Sequence, residues 1–179
     1  MHINLLEVIE TDGKELQGRY PFEMEKIMVN RSEFTVLHSE MEELPVSLHI
    51  VNTGRKVLDL SGHCTIVVMI PCDRCLDEVA VPISLDFRYA LDMKLSSEER
   101  VAGLDECAYL SGVDLDVDTL VYLEALMNWP SKVLCREDCP GLCPVCGKRL
   151  ADGPCGCERE PVDPRMAAIS DLFRKFKEV

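Results

Sequence analysis

Between Cys135 and Cys157 six cysteines fall within 23 residues, spaced Cys135-x3-Cys139-x3-Cys143-x2-Cys146-x8-Cys155-x-Cys157. Gly141, Gly147, Gly153 and Gly156, with Pro140, Pro144 and Pro154, interrupt the stretch. Such a segment lacks the apolar side chains for a core of its own. Four thiolates around a tetrahedral ion supply what is missing, because structural zinc binding is coupled to folding and is worth about 10 kcal/mol or more. Cys143-Pro144-Val145-Cys146-Gly147-Lys148 has the form of a zinc knuckle, in which two cysteines on a tight turn ligate one ion and the glycine lets the chain double back. Cys155 and Cys157 are the nearest residues to close that tetrahedron, although a single intervening residue is a less usual ligand spacing than two.

A second pair, Cys72-Asp73-Arg74-Cys75, lies between two alternating segments and so at the tip of an expected hairpin. If Cys143, Cys146, Cys155 and Cys157 hold one ion, Cys135 and Cys139 still need partners. Cys72 and Cys75 would complete a second four-thiolate site and staple the body of the chain to the cysteine-rich segment. A single ion with other pairings is the alternative, so the expectation is one or two Zn2+ ions. Cys64 falls on the apolar side of its strand and reads as a small buried hydrophobe. Cys107 has no companion nearby in sequence, and His2, His38, His49 and His63 stand apart from the cysteine clusters.

Metal ligation is also what compartment favours. The N-terminal segment lacks a basic region followed by a long apolar one, so no secretory signal is expected and the chain should stay in the cytoplasm. Thiols there are kept reduced, and ten cysteines are better read as ligands than as a disulfide framework. The longest apolar run, Ile66 to Ile70, is far below the roughly 20 residues of a membrane span.

Alternation of period two marks strands at Val46, Leu48 and Ile50, from Leu58 to Ile70, and from Val81 to Leu91. With a turn at Asn52-Thr53-Gly54, a three-stranded antiparallel meander is the simplest arrangement. Short extended pieces at Ile27–Val29 and Phe34–Leu37, around a turn at Asn30-Arg31-Ser32, could add strands. Residues 92–112 form a polar connection. Val117, Leu120, Val121, Leu123, Leu126 and Met127 recur at helical spacing before Trp129-Pro130 stops the helix. The fold class is therefore α+β: an antiparallel sheet body with one packed amphipathic helix, then a cysteine-rich zinc-binding segment and a C-terminal helix. The domains run 1–130, 131–160 and 161–179, the last helix capped by Asp163 and started by Pro164.

No serine elbow, HExxH, phosphate-cradling loop or dinucleotide fingerprint is present, and no enzyme is expected. The spacing Cys139-x3-Cys143-x2-Cys146 matches an iron–sulfur pattern of radical enzymes, but their large barrel cannot fit in this chain.

Several of these segments together resemble the bacterial YceD family, the large ribosomal RNA subunit accumulation proteins. They are Pro71-Cys72-Asp73-Arg74-Cys75-Leu76, the helix ending in Trp129-Pro130, Leu134 to Gly147, Gly153-Pro154-Cys155-Gly156-Cys157, and Asp163-Pro164-Arg165. The likeness runs from about residue 45 to 178. It implies a non-enzymatic role in the synthesis, processing or stability of large-subunit ribosomal RNA, in the bacterial cytoplasm or in chloroplasts. Some members keep a pair like Cys72 and Cys75 without a knuckle like Cys143 and Cys146, which fits two separable sites.

Charge sets the expected partners. The chain carries a net −13, and residues 1–130 alone hold 10 Lys and Arg against 24 Asp and Glu, whereas residues 131–179 hold 9 against 8. An acidic body is a poor binder of polyanions and suits a basic ribosomal protein or assembly factor. RNA contact falls to Lys132, Arg136, Lys148 and Arg149 around the cysteine-rich segment, and to Arg174, Lys175 and Lys177 near the end of the last helix. A zinc-ribbon adaptor in transcription, or another protein–protein role unconnected with ribosomes, is the competing expectation. Neither a membrane nor a small-molecule substrate is expected.

Overall fold

The computed structural model describes residues 1–38, 45–103 and 107–157; the expected C-terminal helix at 161–179 lies outside them. In chain order the elements are β1 (His2–Asn4), α1 (Leu6–Glu10), β2 (Glu15–Pro21), β3 (Lys26–Val29), β4 (Ser32–Thr35), β5 (Pro45–Gly54), β6 (Val57–Pro71) and β7 (Glu78–Asp92). They continue with α2 (Ser97–Ala102), β8 (Leu110–Ser111), β9 (Asp114–Asp116), α3 (Val117–Met127) and a 3-10 turn at Leu150–Asp152. The chain divides into two compact units, Met1–Asp73 with Asp77–Cys135, and Arg74–Leu76 with Arg136–Val179.

The first unit is mostly antiparallel sheet with few helices. Its main sheet has the order β2-β5-β6-β7, so the expected meander gains a fourth strand from the first 45 residues. Strand β2 was hard to foresee because Glu15, Gln17 and Arg19 alternate with Leu16, Gly18 and Tyr20, a pattern with one strong apolar residue. The alternating positions of β5, β6 and β7 behave as their period requires: Val46, Leu48, Ile50, Leu58, Leu60, Cys64, Ile66, Val68, Ile83, Leu85 and Leu91 are buried. Gly62 interrupts that row because an added Cβ would come within 2.4 Å of the Phe87 ring and 2.7 Å of Leu48.

The β5–β6 turn differs from expectation. Strand β5 runs on through Asn52 and Thr53 with a bulge, and the reversal is made by Arg55 and Lys56, at φ 56° and 62°. Both central residues of such a turn need positive φ, for which the strands' twist is the reason. Asn52 is instead a buried linker: its Nδ2 donates to the Val8 and Ile9 carbonyls at 2.8 and 3.1 Å, and its Oδ1 accepts from Gly54 N–H at 2.9 Å. It thereby satisfies carbonyls at the end of α1 that have no partner within the helix.

The pieces near residues 27 and 34 form a hairpin of their own, β3–β4, turning through Asn30 and Arg31 at positive φ. Strand β6 outruns β5, whose register ends at Ser47↔His63. Beyond it Val36 bridges Val68, and Leu37 N–H reaches the Val67 carbonyl at 2.8 Å, covering that edge. A small sheet, β1-β9-β8, leads into α3.

Helix α3 is capped by Asp116, whose carboxylate accepts from Asp118 N–H at 3.1 Å and from the Thr119 hydroxyl at 2.7 Å. Its buried face is Val117, Leu120, Val121, Glu124 and Ala125, and Met127 is 75 % exposed. Glu124 tolerates this position because the Tyr89 hydroxyl donates to its carboxylate. Burial and this bond to Glu124 push the Tyr89 phenol up to about 12. The 92–112 connection contains α2, closed by a capping box between Ser96 and Glu99, and β8.

Candidate metal centre

Strands β6 and β7 pair in unbroken register from Val57↔Asp92 to Pro71↔Glu78, which leaves Cys72 to Asp77 as the tip of the longest hairpin in the sheet. There Cys72 N–H donates to the Asp77 carbonyl at 2.7 Å. Leu76 takes φ 64°, so the chain doubles back after Cys75 as it does at Gly147, φ 70°, after Cys146. Both C-x2-C segments are thus followed by a left-handed residue, although only one uses glycine.

Asp73 is bonded twice to Val133: its N–H donates to the Val133 carbonyl at 2.9 Å, and its carboxylate accepts from Val133 N–H at 2.8 Å. Arg74 Nη1 donates to the Cys139 carbonyl at 2.9 Å. At Gly141, φ 75°, an added Cβ would stand 3.1 Å from the Arg74 carbonyl oxygen, so both backbone conformation and close approach favour glycine there. The sulfur atoms of Cys72, Cys75, Cys135 and Cys139 lie within 4.8 Å of one another. Cys72, Cys75 and Cys139 are buried and Cys135 is exposed.

The second set is local. Leu142 bridges Arg149, Cys143 N–H donates to the Lys148 carbonyl at 2.8 Å, and Gly147 N–H returns to the Cys143 carbonyl at 2.9 Å. Leu150 N–H donates to Gly141 at 3.0 Å, and the 3-10 turn then carries the chain to Gly153, whose φ of 113° favours glycine. This brings Cys155 and Cys157 to Cys143 and Cys146, again with all four sulfurs within 4.8 Å. The Cys146 and Val145 backbone N–H groups and the Cys155 thiol surround the Cys143 sulfur, with Cys146 N–H contributing most, and hold its pKa down to about 6. The Cys157 thiol is pushed up to about 12, chiefly by its hydrogen bond to Cys146 and by burial. Such crowding of thiols is relieved when an ion takes the place of their protons.

Donor chemistry and spacing both fit a tetrahedral metal. With Zn–S bonds of about 2.3 Å, sulfurs of a tetrahedron stand about 3.8 Å apart, inside the observed limit. Among the described residues these two sets, eight cysteines and no histidine, are the groups that could hold a metal ion. His49 and His63 instead face Glu15 at 3.3 Å and Asp86 at 2.7 Å, and His38 contacts the Met24 carbonyl at 3.0 Å.

Cys64 is buried in the sheet core, and burial first, then Glu124 and Asp86, drive its thiol up to about 12. Cys107 joins neither sulfur set, as expected, and Arg100 Nη1 lies 3.7 Å from its sulfur. That pairing was invisible in sequence because α2, which presents Arg100, was not expected.

Of the expected partner contacts, Lys132, Arg136, Lys148 and Arg149 are exposed. Arg136 lies 3.5 Å from Asp138, Arg149 is 4.0 Å from Asp152, and Lys148 reaches the Pro154 carbonyl at 3.5 Å. Arg174, Lys175 and Lys177 lie outside the described residues. No helix among the described residues is long and apolar enough to cross a membrane.

An uncharacterized protein of Mycobacterium tuberculosis and one of Mycobacterium bovis are each 27% identical over 130 residues, 73% of this chain and 62% of the relative. One of Mycobacterium leprae is 24% identical over 128 residues, 72% of this chain and 58% of the relative. The matched part thus spans about three-fifths of the length of these relatives. No solved structure matches the chain. The family profile described as "Large ribosomal RNA subunit accumulation protein YceD" matches residues 60–173, which takes in both cysteine sets, and the chain belongs to the YceD family.

Proposed function

We propose that this protein is a non-enzymatic, zinc-binding accessory factor in the accumulation of large-subunit ribosomal RNA, acting in the bacterial cytoplasm. The observation that carries the metal reading is the gathering of eight cysteines into two four-sulfur sets, the sulfurs of each within 4.8 Å of one another. The family carries the ribosomal reading. Cys72, Cys75, Cys135 and Cys139 would hold one zinc ion, and Cys143, Cys146, Cys155 and Cys157 the other. Bound zinc would supply folding energy and no chemistry, since four thiolates leave it no open position for water or substrate.

Charge assigns the division of labour. Residues 1–130, at 10 cations against 24 anions, engage a basic ribosomal protein or assembly factor. Lys132, Arg136, Lys148 and Arg149 offer the RNA or that partner a local positive edge, and the ion pairs of Arg136 and Arg149 moderate its strength.

Two measurements test this. Elemental analysis of protein purified without added metal should give two zinc per chain, and one in a Cys143→Ser, Cys146→Ser variant. Co-sedimentation at low salt should place the protein with large-subunit precursors. Its recovery with RNA polymerase instead, with none on the precursors, would favour a zinc-ribbon adaptor in transcription.

A further inference from the structure

The two sulfur sets differ in a way that no count of cysteines reveals. In the first, three of the four cysteines are buried. The loop that carries Cys72 and Cys75 ends a hairpin of two 15-residue strands and is held by the paired Asp73–Val133 bonds and by Arg74 on the Cys139 carbonyl. In the second, only Cys143 is buried; Cys155 and Cys157 are half-buried and Cys146 is exposed. All four come from one short segment, whose Cys155–Cys157 end meets the knuckle through the Cys155–Cys143 and Cys157–Cys146 thiol contacts and a long contact from Lys148 to the Pro154 carbonyl, 3.5 Å.

Resting on the reading of both sets as zinc sites, we propose that they are unequal by design. The set Cys72, Cys75, Cys135 and Cys139 is a permanent structural site. The set Cys143, Cys146, Cys155 and Cys157 is a redox-responsive one that gives up its ion to peroxide. Reactivity of a thiolate toward oxidants follows its exposure, and Cys146 is the most open ligand of the second set.

The chemistry balances with hydrogen peroxide as the oxidant. The Cys146 thiolate attacks one peroxide oxygen, the O–O bond breaks, and a sulfenic acid forms as hydroxide leaves. A neighbouring thiolate of the same set, already within 4.8 Å, attacks that sulfur and expels a second hydroxide. Two thiolates have then lost two electrons, peroxide has become two hydroxides that are protonated to water, and zinc departs unchanged in charge as a hydrated ion. Reduction by a dithiol reopens the site.

The test uses the full zinc-loaded chain, a colorimetric zinc chelator and hydrogen peroxide. One of the two ions should be released in a distinct early phase, with a disulfide among Cys143, Cys146, Cys155 and Cys157 in the peptide map. Far-UV circular dichroism of the sheet should be retained, and dithiothreitol with added zinc should restore the ion. In the Cys143→Ser, Cys146→Ser variant the early phase should be lost and the slow one kept. Release of both ions at one rate, or a first disulfide joining Cys72, Cys75, Cys135 or Cys139, overturns the inequality while leaving the two-zinc reading intact. A chain that purifies without zinc and takes up none overturns both.

Discussion

Asp73 and Val133 are bonded to each other twice, through the Asp73 N–H and through its carboxylate, at 2.9 and 2.8 Å. One partner follows Cys72 and the other precedes Cys135 by two residues, so the pair fixes the approach of two cysteines that are remote in sequence. Groups that orient ligands from just outside a metal site commonly change affinity by about 10–100-fold when removed. Asp73→Ala should therefore weaken zinc binding at the Cys72, Cys75, Cys135 and Cys139 set by about that factor, read by chelator competition, and leave the ion of the second set unaffected. Equal loss from both sets would refute the assignment of Asp73 to one of them.

Leu76 stands in the left-handed region at φ 64° and is 65% exposed, so its side chain buries little to offset the strain. A non-glycine residue there costs about 1–2 kcal/mol, less whatever backbone freedom glycine adds to the unfolded chain. Leu76→Gly in the zinc-loaded protein should raise the thermal midpoint by a few degrees, since about 1 kcal/mol corresponds to about 2–8 °C for domains of roughly this size. A lowered midpoint would mean that Leu76 is held by contacts of its own.

Gly62 sits between Leu48 and Phe87 on the inner face of the sheet, with no room for a methyl group. The Phe87 ring must shift or leave its rotamer to admit one, and overpacking of this kind costs about 1–3 kcal/mol. Gly62→Ala should lower stability to denaturant by that amount without altering zinc stoichiometry. A pair Gly62→Ala, Phe87→Leu should recover part of the loss, whereas additive losses would argue that the ring is not the obstacle.

Alkaline pH should destabilise the first unit through two acids, the buried Cys64 thiol and the half-buried Tyr89 phenol. Tyr89 is raised from 10 to about 12, by burial and then by Glu124, and Cys64 is raised from 9 to about 12, by burial and then by Glu124 and Asp86. The folded state holds both protons more tightly than the unfolded chain does. The resulting stability is complete below pH 9 and is lost progressively as pH climbs from 9 towards 12. Unfolding free energy from urea titrations at pH 8, 9.5 and 10.5 should fall, and Cys64→Ala should flatten the earliest part of the decline. A slope unchanged by that variant would remove Cys64 from the account.

Much of this was readable residue by residue. Strands β5, β6 and β7 announce themselves because a half-buried strand must alternate, and Val46 to Ile50, Leu58 to Ile70 and Val81 to Leu91 do so with few exceptions. The Cys143–Gly147 knuckle is equally local, since two ligands and the turn that joins them lie within five residues. Strand β2 was not legible, because an edge strand with little apolar content is recruited by its neighbour's free hydrogen-bonding groups and not by its own pattern. The burial of Glu124 was hidden for a similar reason: it depends on Tyr89, 35 residues away.

Composition and alternation alone specify an acidic body built on antiparallel strands and a cysteine-rich segment poor in apolar residues. Alternation, charge and short-range spacing are all properties of neighbours along the chain. Spacing offered two four-cysteine sets beside other pairings, and tertiary packing selects the two sets. Cys72 and Cys139 share a set because a long hairpin carries one of them to its tip while Asp73, Arg74 and Gly141 set the backbone around it. It also decided that the two sets differ in exposure. Proximity in space and access to solvent depend on where distant segments pack, and no local pattern encodes that.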